Sequence, residues 1–120
     1  MSELVFVYGT LKQGCSNHHW MDKAPCLGSA STVAHYALYT IQYPFLYDGQ
    51  ALYPVEGEVY RVSMAGLHKL DILEAHPDDY CRRQIPVRLS DGAVVQAWTY
   101  FHPQPTGVLL ERGVFEEVRR

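Results

Sequence analysis

Leu4-Val5-Phe6-Val7-Tyr8-Gly9-Thr10-Leu11 opens the chain with an unbroken apolar run that stops on a glycine. A continuous run, as opposed to strict alternation, reads as a strand buried on both faces. Gly9 to Gly14 then reads as a loop, with Ser16-Asn17 placed to cap a short helix near His18 to Met21. Working outward, Gly28 to Tyr39 is strand-like, and Tyr43-Pro44 and Asp48-Gly49 punctuate a loop. Val55 to Val62 predicts another strand, in which Gly57 marks a bulge or a close backbone approach. Ser63 is a plausible N-cap for a helix from about Met64 to Ala75, with Pro77 as a stop signal beyond it. Gln84 to Leu89 and Val94 to Phe101 flank Asp91-Gly92, a hairpin signal. Leu109 to Arg120 is left as a short closing segment. The order contains about five strands and one clear helix without βαβ alternation. It therefore predicts an α+β fold: a small mixed, mostly antiparallel β-barrel with flanking helices, in a single domain over 1–120.

Composition limits the function classes. Of 120 residues, 48% are apolar and 19% charged, a globular balance. A net charge of -3, with the basic residues in isolated pairs such as Arg82-Arg83, argues against nucleic-acid binding. No apolar stretch approaches the roughly 20 residues of a membrane helix. Met1-Ser2-Glu3-Leu4 lacks a basic region before an apolar run, and three well-separated cysteines fit a reducing compartment, so a cytoplasmic protein is expected.

One residue does not suit its surroundings. At about 100° per residue, with Leu67 at zero, Met64 falls near +60°, Leu70 near -60°, Asp71 near +40° and Glu74 near -20°. Glu74 therefore falls within the apolar stripe. A carboxylate there is costly unless it is bonded, paired or protonated, and desolvation would make it a base competent near neutral pH. The alternative is that Glu74, in a fraying last turn, reaches water or an arginine such as Arg82. Asp71 is either a second carboxylate raising the affinity of Glu74 for protons or a structural partner of an arginine.

Tyr8-Gly9-Thr10-Leu11 adds a glycine turn whose backbone N–H groups and Thr10 hydroxyl suit a carboxylate or an oxyanion; the competing reading is a simple turn. Gly9 to Gly14 has the spacing of a phosphate loop, but Cys15 stands where lysine is required. Cys15 with His18 and His19 has a thiol nucleophile and a base but no evident third group. The six histidines show no metal-binding spacing, so no metal and no cofactor are expected.

Four blocks in order carry a resemblance: Val5 to Lys12 continuing to Gly14 and Asn17-His18; Tyr43-Pro44; Val55 to Tyr60; and Leu70-Asp71 through Glu74 to Pro77, Tyr80 and Arg82. Together they resemble the gamma-glutamylcyclotransferase family, most closely its gamma-glutamylamine cyclotransferase branch. The resemblance implies a small mixed barrel, a glutamyl-holding loop at Tyr8, Gly9, Thr10 and Leu11, and Glu74 as catalytic acid/base. Tyr80 and Tyr100 are candidates for the substrate-binding wall. The implied reaction releases 5-oxoproline and a free amine from a small γ-glutamyl substrate. A non-catalytic module binding a small carboxylate on the same fold is the alternative, and a Cys15-dependent hydrolase is a third. The motifs do not specify the leaving amine or the oligomeric state.

Overall fold

The computed structural model describes residues 2–41 and 43–116. Eight strands form one sheet: β1 (Ser2–Val7), β2 (Cys26–Thr32), β3 (Ala37–Thr40), β4 (Pro44–Tyr47), β5 (Glu56–Ser63), β6 (Cys81–Leu89), β7 (Val94–Phe101) and β8 (Val108–Leu109). Helix α1 (Met64–Leu73) follows β5 directly, and a 3-10 turn spans His18–Met21. The order is β1-β5-β2-β6-β7-β4-β3-β8, and a further parallel pairing of β1 with β7 closes the first five into a barrel. That closure rests on Val5 opposite Trp98. The β4–β7 pairing is also parallel, and the remaining pairings are antiparallel. The fold is therefore the expected mixed, mostly antiparallel barrel, with one α-helix and one 3-10 turn among the described residues.

The first strand shows why its run is continuous. Phe6 and Tyr8 point into the barrel with Leu38, Val59 and Phe101. Val5 and Val7 point outward, and Leu67 and Leu70 of α1 cover them. Side chains alternate between faces along a strand, so two covered faces require an apolar residue at every position. Gly57 is a close approach: a Cβ there would lie 2.2 Å from the Val7 carbonyl oxygen. Helix α1 starts as expected, with the Gly66 N–H donating to Ser63 Oγ at 3.0 Å. Leu67 and Leu70 are buried, whereas Met64 in the first turn is 51% exposed and outside the buried stripe.

Three expectations are corrected. The strand expected over Gly28 to Tyr39 is two strands, β2 and β3. Buried Thr32 breaks it: its hydroxyl donates to the Ala34 carbonyl at 2.7 Å and accepts the Val55 N–H at 2.9 Å. Such a local side-chain bond gives the backbone an alternative to extension. Tyr43 to Gly49, expected as a loop, contains β4, with Pro44 at its first position, where no ladder donor is lost. Helix α1 ends at Leu73, not Ala75. Within the closing segment, Val108–Leu109 forms β8 against β3, and residues 117–120 lie outside the described residues. Among the described residues, no helix is long and apolar enough to cross a membrane.

Candidate active site

The end of α1, the loop after β1 and the start of β4 meet around a cavity of about 230 Å³. Tyr8, Gly9, Thr10 and Leu11 line one side, and Glu74, Tyr80 and Tyr100 line it as well. The seven residues expected as catalytic or substrate-binding thus line one cavity, whereas Asp71, Cys15, His18 and His19 do not line it. Sequence reasoning assigned no role at the site to Asn17, Leu73 and the Tyr43-Pro44 pair, which also line it. Asn17 and Tyr43-Pro44 stand in the motif blocks, so their signal was present; Leu73 carries none beyond being next to Glu74.

The loop is held at several points. The Lys12 N–H donates to the Gly9 carbonyl at 3.1 Å, closing a turn. Asn17 was expected as a helix cap, but its Nδ2 donates to Thr10 Oγ1 at 2.9 Å, and it makes no side-chain cap bond to the 3-10 turn. The Asn17 N–H also donates to the Thr10 carbonyl at 3.0 Å. Gln13 N–H donates to Glu58 Oε1 at 2.8 Å, tying the loop to β5. Among the described residues, the amides of Gly9, Thr10 and Leu11 donate to no protein acceptor. Gly9 is buried against Pro44; a Cβ there would lie 2.4 Å from Pro44 Cγ.

The tyrosines form a bonded wall. The Tyr8 hydroxyl donates to the Tyr100 carbonyl at 2.9 Å and accepts the Leu46 N–H at 3.3 Å. Tyr100 donates its own hydroxyl to Asp71 Oδ1 at 2.7 Å. Tyr80 stands edge-on to Phe45 and His102, with ring centroids 6.4 and 5.3 Å away. Burial first, and then the nearby Glu74, pushes the Tyr80 phenol up to about 12, and the same two causes raise Tyr8. Both hydroxyls therefore stay protonated at neutral pH, the Tyr8 proton being committed to the Tyr100 carbonyl.

Glu74 is the C-cap of α1 and is half-buried. Burial pushes its carboxyl from 4.5 up to about 7. Arg82, one of the partners considered for it, is engaged elsewhere: its Nε donates to Asp71 Oδ1 at 2.8 Å. Burial would raise Asp71, but the bonds from Arg82 and Tyr100 outweigh it and hold that carboxyl below its usual range. The two carboxylates of α1 thus differ in environment, with Asp71 ionised and paired and Glu74 poised near neutrality. Such a split is the arrangement expected of a site that needs one base.

The Cys15 constellation does not assemble at this cavity, since Cys15 is not among its lining residues. His18 Nδ1 lies 3.0 Å from the Leu11 carbonyl, and His19 packs on Trp20.

Comparison with known proteins bears on this geometry. Residues 5–117 match the family described as gamma-glutamyl cyclotransferase, AIG2-like. A candidate gamma-glutamylcyclotransferase of Methanocaldococcus jannaschii is 36% identical over 118 residues, covering 98% of both chains. One from Drosophila melanogaster is 40% identical over 110 residues, covering 83% of this chain and 69% of that one. Among solved structures, an AIG2-like protein of Mus musculus superposes with a TM-score of 0.78 at 31% identity, covering 83% of this chain and 76% of that one. YkqA of Bacillus subtilis superposes with a TM-score of 0.80 at 26% identity over 96% of this chain, which spans 40% of the length of YkqA.

Proposed function

Because the chain belongs to the gamma-glutamyl cyclotransferase, AIG2-like family, we propose that it releases 5-oxoproline from a γ-glutamyl amine, with Glu74 as general acid/base. The observation that carries this reading is the placement of Glu74. It is a half-buried carboxyl raised to about 7, on the same cavity as a glycine turn with unclaimed amides.

The chemistry requires little else. Glu74 as carboxylate takes a proton from the α-ammonium of the substrate. The freed amine attacks the γ-carbonyl carbon, forming the ring C–N bond and an oxyanion. Collapse of that intermediate breaks the original amide C–N bond, and Glu74 returns its proton to the departing nitrogen. The second proton lost by the α-nitrogen leaves the amine as an ammonium ion. Nucleophile and electrophile belong to one molecule, so holding the glutamyl chain folded supplies much of the acceleration. Well-oriented intramolecular reactions reach effective molarities of about 10⁵–10⁸ M. In this reading the amides of Gly9, Thr10 and Leu11 bind the substrate carboxylate or the oxyanion, and Tyr8, Tyr80 and Tyr100 form the protonated wall.

The test is 5-oxoproline release from a panel of γ-glutamyl amines and γ-glutamyl peptides, wild type beside Glu74→Gln. Loss of about 10²–10⁴-fold in kcat/KM is expected for the amide, the range for removing a general base. Equal turnover by both proteins overturns the assignment.

A further inference from the structure

The polar cluster behind the cavity wall is centred on Asp71, and the reaction above gives it no task. Two donors converge on one oxygen: the Tyr100 hydroxyl at 2.7 Å and Arg82 Nε at 2.8 Å, both to Asp71 Oδ1. They come from neighbouring strands, since Arg82 of β6 sits opposite Tyr100 of β7. Arg82 is fixed at two more points. Its N–H donates to His76 Nδ1 at 3.2 Å, and its guanidinium lies 4.3 Å from the centroid of the Trp98 ring. The Arg82 and Asp71 side chains retain only 20% and 15% of their exposure, so the pair is largely shielded from solvent.

Glu74 lies three residues beyond Asp71. Helical residues at that spacing have Cβ atoms about 5–6 Å apart. Glu74 and Arg82 both act on the Tyr100 phenol, the carboxylate raising it and the guanidinium lowering it, so both lie within electrostatic reach of the same side chain. The other groups facing Glu74 are Tyr8 from the loop after β1, Tyr80 from the segment before β6, and Tyr100 from β7, all protonated phenols at neutral pH. His76 follows α1 with its ring 6.5 Å from that of Tyr100. Within this cluster Arg82 carries the permanent positive charge.

We infer that Asp71 is a positioning residue: it holds Arg82 on Trp98 and away from Glu74, and through the same oxygen anchors the Tyr100 wall of the cavity. The inference rests on the cyclotransferase reading for its catalytic meaning. With Asp71 neutralised, Arg82 is an uncompensated cation beside Glu74, and the carboxylate becomes a weaker base. Removing Arg82 as well restores its surroundings.

The experiment is a four-member cycle: wild type, Asp71→Asn, Arg82→Gln and the double variant. The Glu74 carboxyl is titrated by ¹³C NMR, its signal assigned by loss in Glu74→Gln, and kcat/KM is recorded against pH. In Asp71→Asn the Glu74 midpoint falls by about one pH unit or more, a tenfold gain or greater in ease of ionisation. The acid limb of kcat/KM moves with it, and the plateau drops. In the double variant both return to within a few tenths of a unit of the wild type. A change in packing alone would not be reversed by deleting Arg82. An unchanged or raised midpoint in Asp71→Asn, or a double variant that stays low, overturns the inference. Should Asp71→Asn not fold, Asp71→Ser carries the same expectations, because it also removes the charge. If no variant forms 5-oxoproline and neither does the wild type, the cyclotransferase reading fails, while the NMR cycle still decides the role of Asp71.

Discussion

Gly9 sets the distance between the loop after β1 and β4. Any side chain there meets the ring of Pro44, with Cβ 2.4 Å from Cγ. A proline ring at the start of a strand cannot rotate away, so the loop or the strand must move. Gly9→Ala is expected to cost about 1–3 kcal/mol, the range for overpacking, and to raise KM because the amides of the loop shift. Urea unfolding and kinetics on the wild type and variant check this; unchanged stability would mean that the approach is looser than the geometry indicates. Glu74 was legible for a different reason. Helical geometry placed it among Leu67 and Leu70, and those two are buried as the stripe requires. The same geometry included Met64, which is exposed in the first turn of α1. Asp71 was legible only as a pair of alternatives, since nothing local says that Arg82 and Tyr100 reach it from two strands.

At the level of elements, the end of α1 does the positioning. The His76 N–H donates to the Asp71 carbonyl at 2.9 Å and the Ala75 N–H to the Ile72 carbonyl at 3.2 Å. These are the two bonds of a Schellman motif, and they fix the helix end at which Glu74 sits. The left-handed position of that motif normally takes glycine, but here Ala75 holds it with φ 52°. An L-residue pays about 1–2 kcal/mol for this conformation, less the extra chain entropy of glycine. Ala75→Gly is therefore expected to raise stability by about 0.5–1 kcal/mol, read as an increase in Tm; a decrease would contradict the assignment. The expected end at Ala75 overran the observed one by two residues because alanine itself gives no stop signal. β4 was hidden for a related reason: Tyr43-Pro44 and Asp48-Gly49 are turn residues, and the strand between them is specified by its partners β3 and β7.

Across the whole molecule, barrel closure brings the loop after β1 and the end of α1 to one cavity. The hairpin of β6 and β7 was readable from Asp91-Gly92, whereas the parallel pairings of β7 with β1 and β4 join distant segments and have no local signature. The site is linked to stability through proton binding. The folded Glu74 carboxyl titrates near 7 and its ordinary value is 4.5. As pH rises between these values, the unfolded chain ionises first, so folding loses stability across that window and stays lower above it. Glu74→Gln should be more stable than the wild type by about 2 kcal/mol at pH 8, allowing for solvent screening, with the difference gone below about pH 4.5. Asp71 acts in the opposite sense: its contribution is present at neutral pH and is lost as pH falls through its lowered value. Thermal melts of both proteins across pH check the first expectation, and a stability difference independent of pH would contradict it. The most direct measurement is the pH dependence of kcat/KM for 5-oxoproline release, wild type beside Glu74→Gln. The account predicts a rate that climbs through about pH 7 in the wild type and a low rate without that limb in the variant; a shared limb, or none in either protein, would contradict it.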